Sequence, residues 1–186
     1  MTLLLLLAAC GPATVTFDSG WSSPDDSDVP VVLDEDIRLY VNEFMASNGS
    51  TALEPDGDVP IDEDWTPDWI ELYNPSGVPL DLSGFSITDD LSEPALHVLE
   101  GVALPARGYL LLYADGQPEL GPRHLPFKLS ADGEAVGLFS PEGAPLDQIE
   151  FSNQITDMPA ARVPDGGPLQ IINEATPGAP NPDEVD

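Results

Sequence analysis

From residue 37 onward, short apolar runs alternate with interruptions rich in Gly, Pro and Asp, and the spacing of those interruptions decides the fold class. In Ile37 to Met45 (IRLYVNEFM), Ile37, Leu39 and Val41 alternate as in a strand, and Phe44 then falls on the opposite parity. A bulge near Asn42 or Glu43 would bring both sets to one face. Residues 68 to 90 read DWIELYNPSGVPLDLSGFSITDD. Trp69, Ile70, Leu72 and Tyr73 form a run of β-formers, Asn74 to Gly77 supply turn chemistry, and Leu80, Leu82, Phe85 and Ile87 resume beyond it, so a hairpin is expected. Further strands are expected at Ala95 to Leu99, Tyr109 to Ala114, Phe127 to Leu129, Ala135 to Phe139, Leu146 to Phe151 and Ala161 to Val163. Their separators, such as PARG at 105 to 108, ADGE at 131 to 134 and PDGGP at 164 to 168, carry the residues that tight turns demand. Over 95 to 151 these breaks come every 8 to 12 residues, too often for a helix of ordinary length. Eight or nine short strands in this rhythm specify an all-β protein, a β-sandwich.

Composition adds a charge argument. Five basic residues (Arg38, Arg107, Arg123, Lys128 and Arg162) stand against 34 acidic ones, a formal net charge of −29. Nucleic acid is disfavoured as a partner, because phosphate affinity comes chiefly from Lys and Arg. The same charge favours solubility and divalent cations, and it imposes a self-repulsion that salt would relieve. At 186 residues the chain suits one domain with flanks.

The amino terminus reads MTLLLLLAAC: five leucines, small residues, then the one cysteine of the chain. It resembles the lipobox of bacterial lipoproteins, with Leu7, Ala8, Ala9 and Cys10 in the pattern positions. The resemblance implies a signal peptide over residues 1–9, cleavage before Cys10 and a lipid on that thiol, which anchors the chain to a membrane. A buried thiol at the start of a strand is the alternative for Cys10. Gly11, where an aspartate would retain a lipoprotein at the inner membrane, implies the outer membrane or cell surface if the cell is Gram-negative. Residues 10–36 are rich in Pro, Ser, Thr and Asp, the composition of a self-repelling tether on the order of 30 Å long. Val15, Phe17 and Trp21 within it are candidates to pack on the domain instead.

In the domain itself, NEFMASN at 42 to 48, DWIELYNPSG at 68 to 77, LDLSGFSITDD at 80 to 90, LPARGYLLLYADG at 104 to 116 and FKLSADGEAVGLFSPEG at 127 to 143 follow in order. DQIEF at 147 to 151, Gln154, RVPDGG at 162 to 167 and TPGAPN at 176 to 181 complete the series. Together, over about residues 37–181, they resemble a lamin-tail domain of the bacterial type. That resemblance implies an immunoglobulin-like β-sandwich; residues 182–186 follow it as a short acidic tail. The acid-rich insertion from Glu54 to Pro67 departs from the family pattern.

A hydrolase needs a nucleophile with a base in reach, or a metal with several ligands. His97 and His124, the two histidines, lie apart and lack HExxH or GxSxG context, so no catalytic residue is assigned. His97 is expected to line a strand and His124 to sit in an exposed loop. For a metal, Asp56, Asp58, Asp62, Glu63 and Asp64 crowd hard oxygen ligands into one stretch, which makes calcium the candidate ion and a solvated acidic loop the alternative. If Ile70 and Leu72 face the core, Trp69, Glu71 and Tyr73 face the other way. They form either an exposed recognition stripe or a structural set in which Glu71 pairs with Arg38, Arg107 or a backbone amide. Asp89 and Asp90 close the 68 to 90 stretch as a further candidate binding end or a solvated strand end.

The functional expectation is a non-catalytic, lipid-anchored extracytoplasmic module that binds an envelope or extracellular protein or glycan. The alternative is a calcium-binding accessory domain assisting an extracellular hydrolase. Lamina-like scaffolding is excluded, since the chain carries no heptad run.

Overall fold

A computed structural model describes residues 38–53 and 65–185. The expected signal peptide, Cys10, the tether, and the proposed calcium ligands Asp56, Asp58, Asp62, Glu63 and Asp64 all lie outside the described residues.

Eleven strands are present: β1 (Tyr40–Met45), β2 (Asp68–Tyr73), β3 (Leu80–Asp81), β4 (Ser86–Thr88), β5 (His97–Val98), β6 (Ala103–Leu104), β7 (Tyr109–Ala114), β8 (Gly133–Phe139), β9 (Pro145–Ser152), β10 (Ala160–Arg162) and β11 (Leu169–Ile171). They form a five-stranded sheet in the order β11-β10-β1-β2-β7, a four-stranded sheet in the order β5-β4-β8-β9, and a β3-β6 ribbon. All these pairings are antiparallel. One 3-10 turn, Pro118–Leu120, is the helical content among the described residues.

The core lies between the two larger sheets. Val41, Phe44, Ile70, Leu72, Leu110 and Leu112 from one meet Ile87, Val136, Leu138 and Ile149 from the other. Phe44 and Phe151 touch across the gap, ring centroids 4.8 Å apart. The parity break in β1 has the expected cause: Val41 pairs with Leu72 and Phe44 with Ile70, while the register shifts between Val41 and Glu43. The extra residue is Asn42, and its insertion returns both Val41 and Phe44 to the core face.

Two strand expectations are corrected. The 68 to 90 stretch is not a hairpin. β2 already has β1 on one side and β7 on the other, in register from Asp68↔Ala114 to Tyr73↔Tyr109. Beyond Asn74 the chain therefore leaves the sheet. Leu80 and Asp81 pair with Leu104 and Ala103, and β4 joins β5 and β8 in the opposite sheet. Asn74 sets this departure: its Nδ2 donates to the carbonyls of Val78 (2.8 Å) and Pro105 (3.0 Å), and its Oδ1 accepts from Ser76 N (2.9 Å). Phe127–Leu129, expected as a strand, contributes only the bridge Asp115↔Lys128 while Phe127 and Leu129 fill the core. β6 and β11, at two and three residues, are too short to stand out by alternation.

Candidate functional site

The outer face of the five-stranded sheet concentrates the polar chemistry of the described residues. Strand register places Tyr40 beside Tyr73, Glu43 directly opposite Glu71, and Met45 beside Trp69. Because Ile70 and Leu72 point to the core, alternation sends this second set outward, as expected. The face is nevertheless covered. Trp69, Glu71 and Glu43 are fully buried and Tyr73 is half-buried, so the expectation of an exposed recognition stripe is corrected.

Two coverings account for this. Met45, Trp69 and Tyr113 form a small second cluster with Leu53, against which Trp65, Leu111 and Ala175 pack. Over the carboxylates lies the segment 174–181, which follows β11 and contains the TPGAPN motif. Thr176 N donates to Glu43 Oε1 (3.1 Å) and Oε2 (3.2 Å), and Thr176 Oγ1 lies 2.8 Å from Glu43 Oε2. Gly178 N donates to Glu71 Oε2 at 2.6 Å. Glu71 thus takes a backbone amide rather than Arg38 or Arg107 as its partner. Asn181 anchors the end of the segment: its amide donates to Asp165 (3.0 Å), and its Nδ2 to the carbonyls of Asn42 (3.2 Å) and Arg162 (2.9 Å).

The bulge residue Asn42 ties the two halves together. Its Nδ2 reaches Asp165 Oδ1 (2.9 Å) and Glu71 Oε1 (3.3 Å), and its Oδ1 accepts from Gly166 N (3.1 Å). Tyr109, stacked on Tyr73 with centroids 5.2 Å apart, donates its hydroxyl to Asp165 Oδ2. Burial raises the Glu71 carboxyl to about 8, with the Glu43 and Asp165 charges adding to the shift against hydrogen bonds from Gly178 and Asn42. Burial likewise raises Glu43 to about 7, against the Thr176 hydrogen bonds and with Asp165 adding. Tyr109 is also raised, by burial first and then by its bond to Asp165. No basic side chain offsets either glutamate. The arginine of this region, Arg162, directs its donors to Asp147 (2.8 and 2.9 Å), Val41 O (3.0 Å) and Gly167 O (2.8 Å).

The other predicted residues stand elsewhere. Asp89 is half-buried and Asp90 exposed, at the mouth of an open groove that Asp132, Glu134 and Glu150 also line. Burial raises Asp89, with Asp90 and Glu93 adding, whereas Ser92 donates to Asp90 and lowers it. His124, expected in an exposed loop, is fully buried. Its Nδ1 lies 2.7 Å from Asp115 Oδ2, and the rings of Tyr113 and Trp65 enclose it. Among the described residues its Nε2 meets no hydrogen-bond partner. His97 sits on β5 as expected, half-buried, with burial lowering its pKa. Among the described residues no group of three or more His, Cys, Asp or Glu side chains is placed to hold a metal ion. None of their helices is long and apolar enough to cross a membrane.

Asp147, Arg162, Asp165, Thr176 and Asn181 lie within the sequence motifs without a role that the motifs assign, and Asn42 is expected there only as a candidate bulge. Their common signal is polar residues set beside Gly or Pro, which supply side-chain acceptors where the backbone turns. Fold and network together define a two-sheet antiparallel β-domain with its outer face sealed by its own C-terminal segment. The Lamin Tail Domain family model matches residues 36–153, and the chain belongs to that family, whose fold is an immunoglobulin-like β-sandwich. No curated protein and no solved structure matches the chain. The family match ends before β10, β11 and the 174–181 segment that complete the network.

Proposed function

We propose that this protein is a non-catalytic binding or structural module held outside a bacterial cell by a lipid on Cys10, at the outer membrane or cell surface in a Gram-negative cell. The acidic tether at 10–36 sets the lamin-tail sandwich clear of the membrane, where it engages an envelope or extracellular protein or glycan. The observation that carries the reading is the MTLLLLLAAC start joined, through a linker-like stretch, to a lamin-tail domain. In support of a non-catalytic role, the buried acids Glu43 and Glu71 are engaged by the chain's own amides. Mass spectrometry of the membrane fraction tests the anchor. The expected species begins at Cys10 and carries acyl chains, and C10A moves to the soluble fraction. An unprocessed chain that is soluble with Cys10 intact would overturn it. Capture from envelope extract, compared with a tether-only control, tests the binding half: a partner retained by the domain supports it, and identical recoveries refute it.

A calcium-dependent accessory role beside an extracellular hydrolase is the second reading. The acidic stretch of Asp56, Asp58, Asp62, Glu63 and Asp64 favours it, in a chain of net charge −29. Calorimetric titration with calcium decides: heat saturating below about millimolar metal supports this reading, and no heat with no gain in melting temperature removes it.

A further inference from the structure

Glu43 and Glu71 are cross-strand neighbours on the two strands at the heart of the five-stranded sheet, and both are fully buried. What buries their head groups is thin. Residues 173, 174, 178, 179 and 180 are exposed, and the segment forms no strand with the sheet. It holds on through amides and a hydroxyl aimed inward at two carboxyls, Ala175 against the Trp69 cluster, and Asn181 at its end. Such a segment, with little apolar surface of its own, belongs to the part of a fold that opens without unfolding the rest.

We propose that segment 174–181 is a proton-controlled strap: it closes over Glu43 and Glu71 when they are protonated and opens as they ionise, uncovering the two carboxyl groups. Three features of the geometry carry this. The two carboxyls stand opposite each other in register, so ionising both sets like charges side by side. Asp165, from the turn after β10, adds a third carboxylate to the same network, while Tyr109 and Tyr73 from β7 and β2 bring no positive charge. Arg162 of β10 is engaged by Asp147 of β9, and no arginine or lysine contributes to the shift of either glutamate. On the strap's own side the titratable groups are Glu174, Asp183 and Glu184, all acidic and exposed.

The bonds that Thr176 and Gly178 donate favour ionised carboxylates, but burial outweighs them and raises both glutamates, to about 7 and about 8, so the sign follows from the burial that opening relieves. A carboxyl raised in the closed state favours closure while it is protonated, and that preference is lost as pH climbs from the ordinary glutamate value of 4.5 through the raised ones. Each unit of difference between the closed and open pKa corresponds to as much as about tenfold in the opening equilibrium. The strap therefore opens on the alkaline side, and the effect does not depend on how the protein is anchored or what it binds.

Quenched-flow hydrogen exchange of the full chain with mass spectrometry tests this, with rates divided by their intrinsic values. Between about pH 5.5 and about pH 9 the peptide covering 174–181 is expected to lose about 100-fold or more of its protection while β7 keeps its own. In the double variant E43Q/E71Q the strap's protection should vary by less than about threefold over the same range. A wild-type strap whose protection is constant overturns the proposal, as does a strap that loses protection only in parallel with β7. Should the double variant fail to fold, carbon-13 titration of the wild-type glutamate carboxyls decides: midpoints for Glu43 and Glu71 near 4.5 refute the strap, and midpoints near 7 and 8 that track its exchange support it.

Discussion

Arg162→Ala removes a guanidinium that contacts four partners at once. Its Nη2 forks onto both oxygens of Asp147, Nε reaches Val41 O, Nη1 reaches Gly167 O, and the head group lies 5.3 Å from the centroid of the Tyr40 ring. The contact joins β10 of one sheet to β9 of the other. Asp147 also accepts the amide of Val41 at 2.9 Å, so β1 is held from both sides. Breaking a buried ion pair by deleting one partner costs about 3–5 kcal/mol, because the survivor is left uncompensated. Here the two side chains keep 16% and 11% exposure, which lets water reach Asp147 and lowers the expectation to about 2–4 kcal/mol. Urea denaturation followed by tryptophan fluorescence, with an unchanged m-value, measures it. Asp147→Ala should cost a similar amount, and the double variant should fall short of the sum by about 1–3 kcal/mol. Costs below about 0.5 kcal/mol, or strict additivity, would refute the view that this pair staples the sheets. Because the pair is mostly shielded, molar salt should weaken it far less than it would an exposed pair.

Two other substitutions test the turns that route the chain. Asn74→Ala deletes four hydrogen bonds from a fully buried side chain, while Val78 O keeps Ser76 Oγ and Pro105 O keeps Gly108 N, so a loss of about 2–4 kcal/mol is expected by the same denaturation assay. An effect under about 1 kcal/mol would mean that Asn74 does not direct the departure from the sheet. Gly133→Ala should destabilise by about 2 kcal/mol or more, since Gly133 has φ +105° and a Cβ there would stand 2.7 Å from Phe151 O and 2.9 Å from Ser152 Cα, backbone atoms that cannot step aside. A melting temperature equal to that of the parent would contradict this.

The strand periods were legible along the chain because each is a local property. Alternation in residues 37–45, broken once, implied a bulge near Asn42 or Glu43, which the register places at Asn42, and the apolar run at Tyr109 to Ala114 marked β7 with its full extent. Turn residues every 8 to 12 positions were enough for an all-β sandwich. Alternation also sent Trp69, Glu71 and Tyr73 away from the core.

What covers that outward face was decided only in three dimensions. Thr176 reaches Glu43 across 133 residues, and Gly178 reaches Glu71 across 107. No local pattern encodes such a meeting, and an outward position on a strand reads as exposed until something is seen to lie on it. Pairing was likewise a matter of competition. Asn74 to Gly77 carry turn residues that suit a hairpin, yet β2 had both edges filled by β1 and β7, and the chain crossed to the other sheet instead. The same holds for charge: five basic side chains among 34 acids leave many possible pairs on paper, and folding assigned Arg162 to Asp147 while leaving Glu43 and Glu71 with backbone amides, a hydroxyl and the Asn42 side-chain amide. The sequence by itself determined the longer strands and their facing; tertiary packing determined the shortest strands and all the partners, because burial and pairing depend on segments that meet only when the whole sandwich closes.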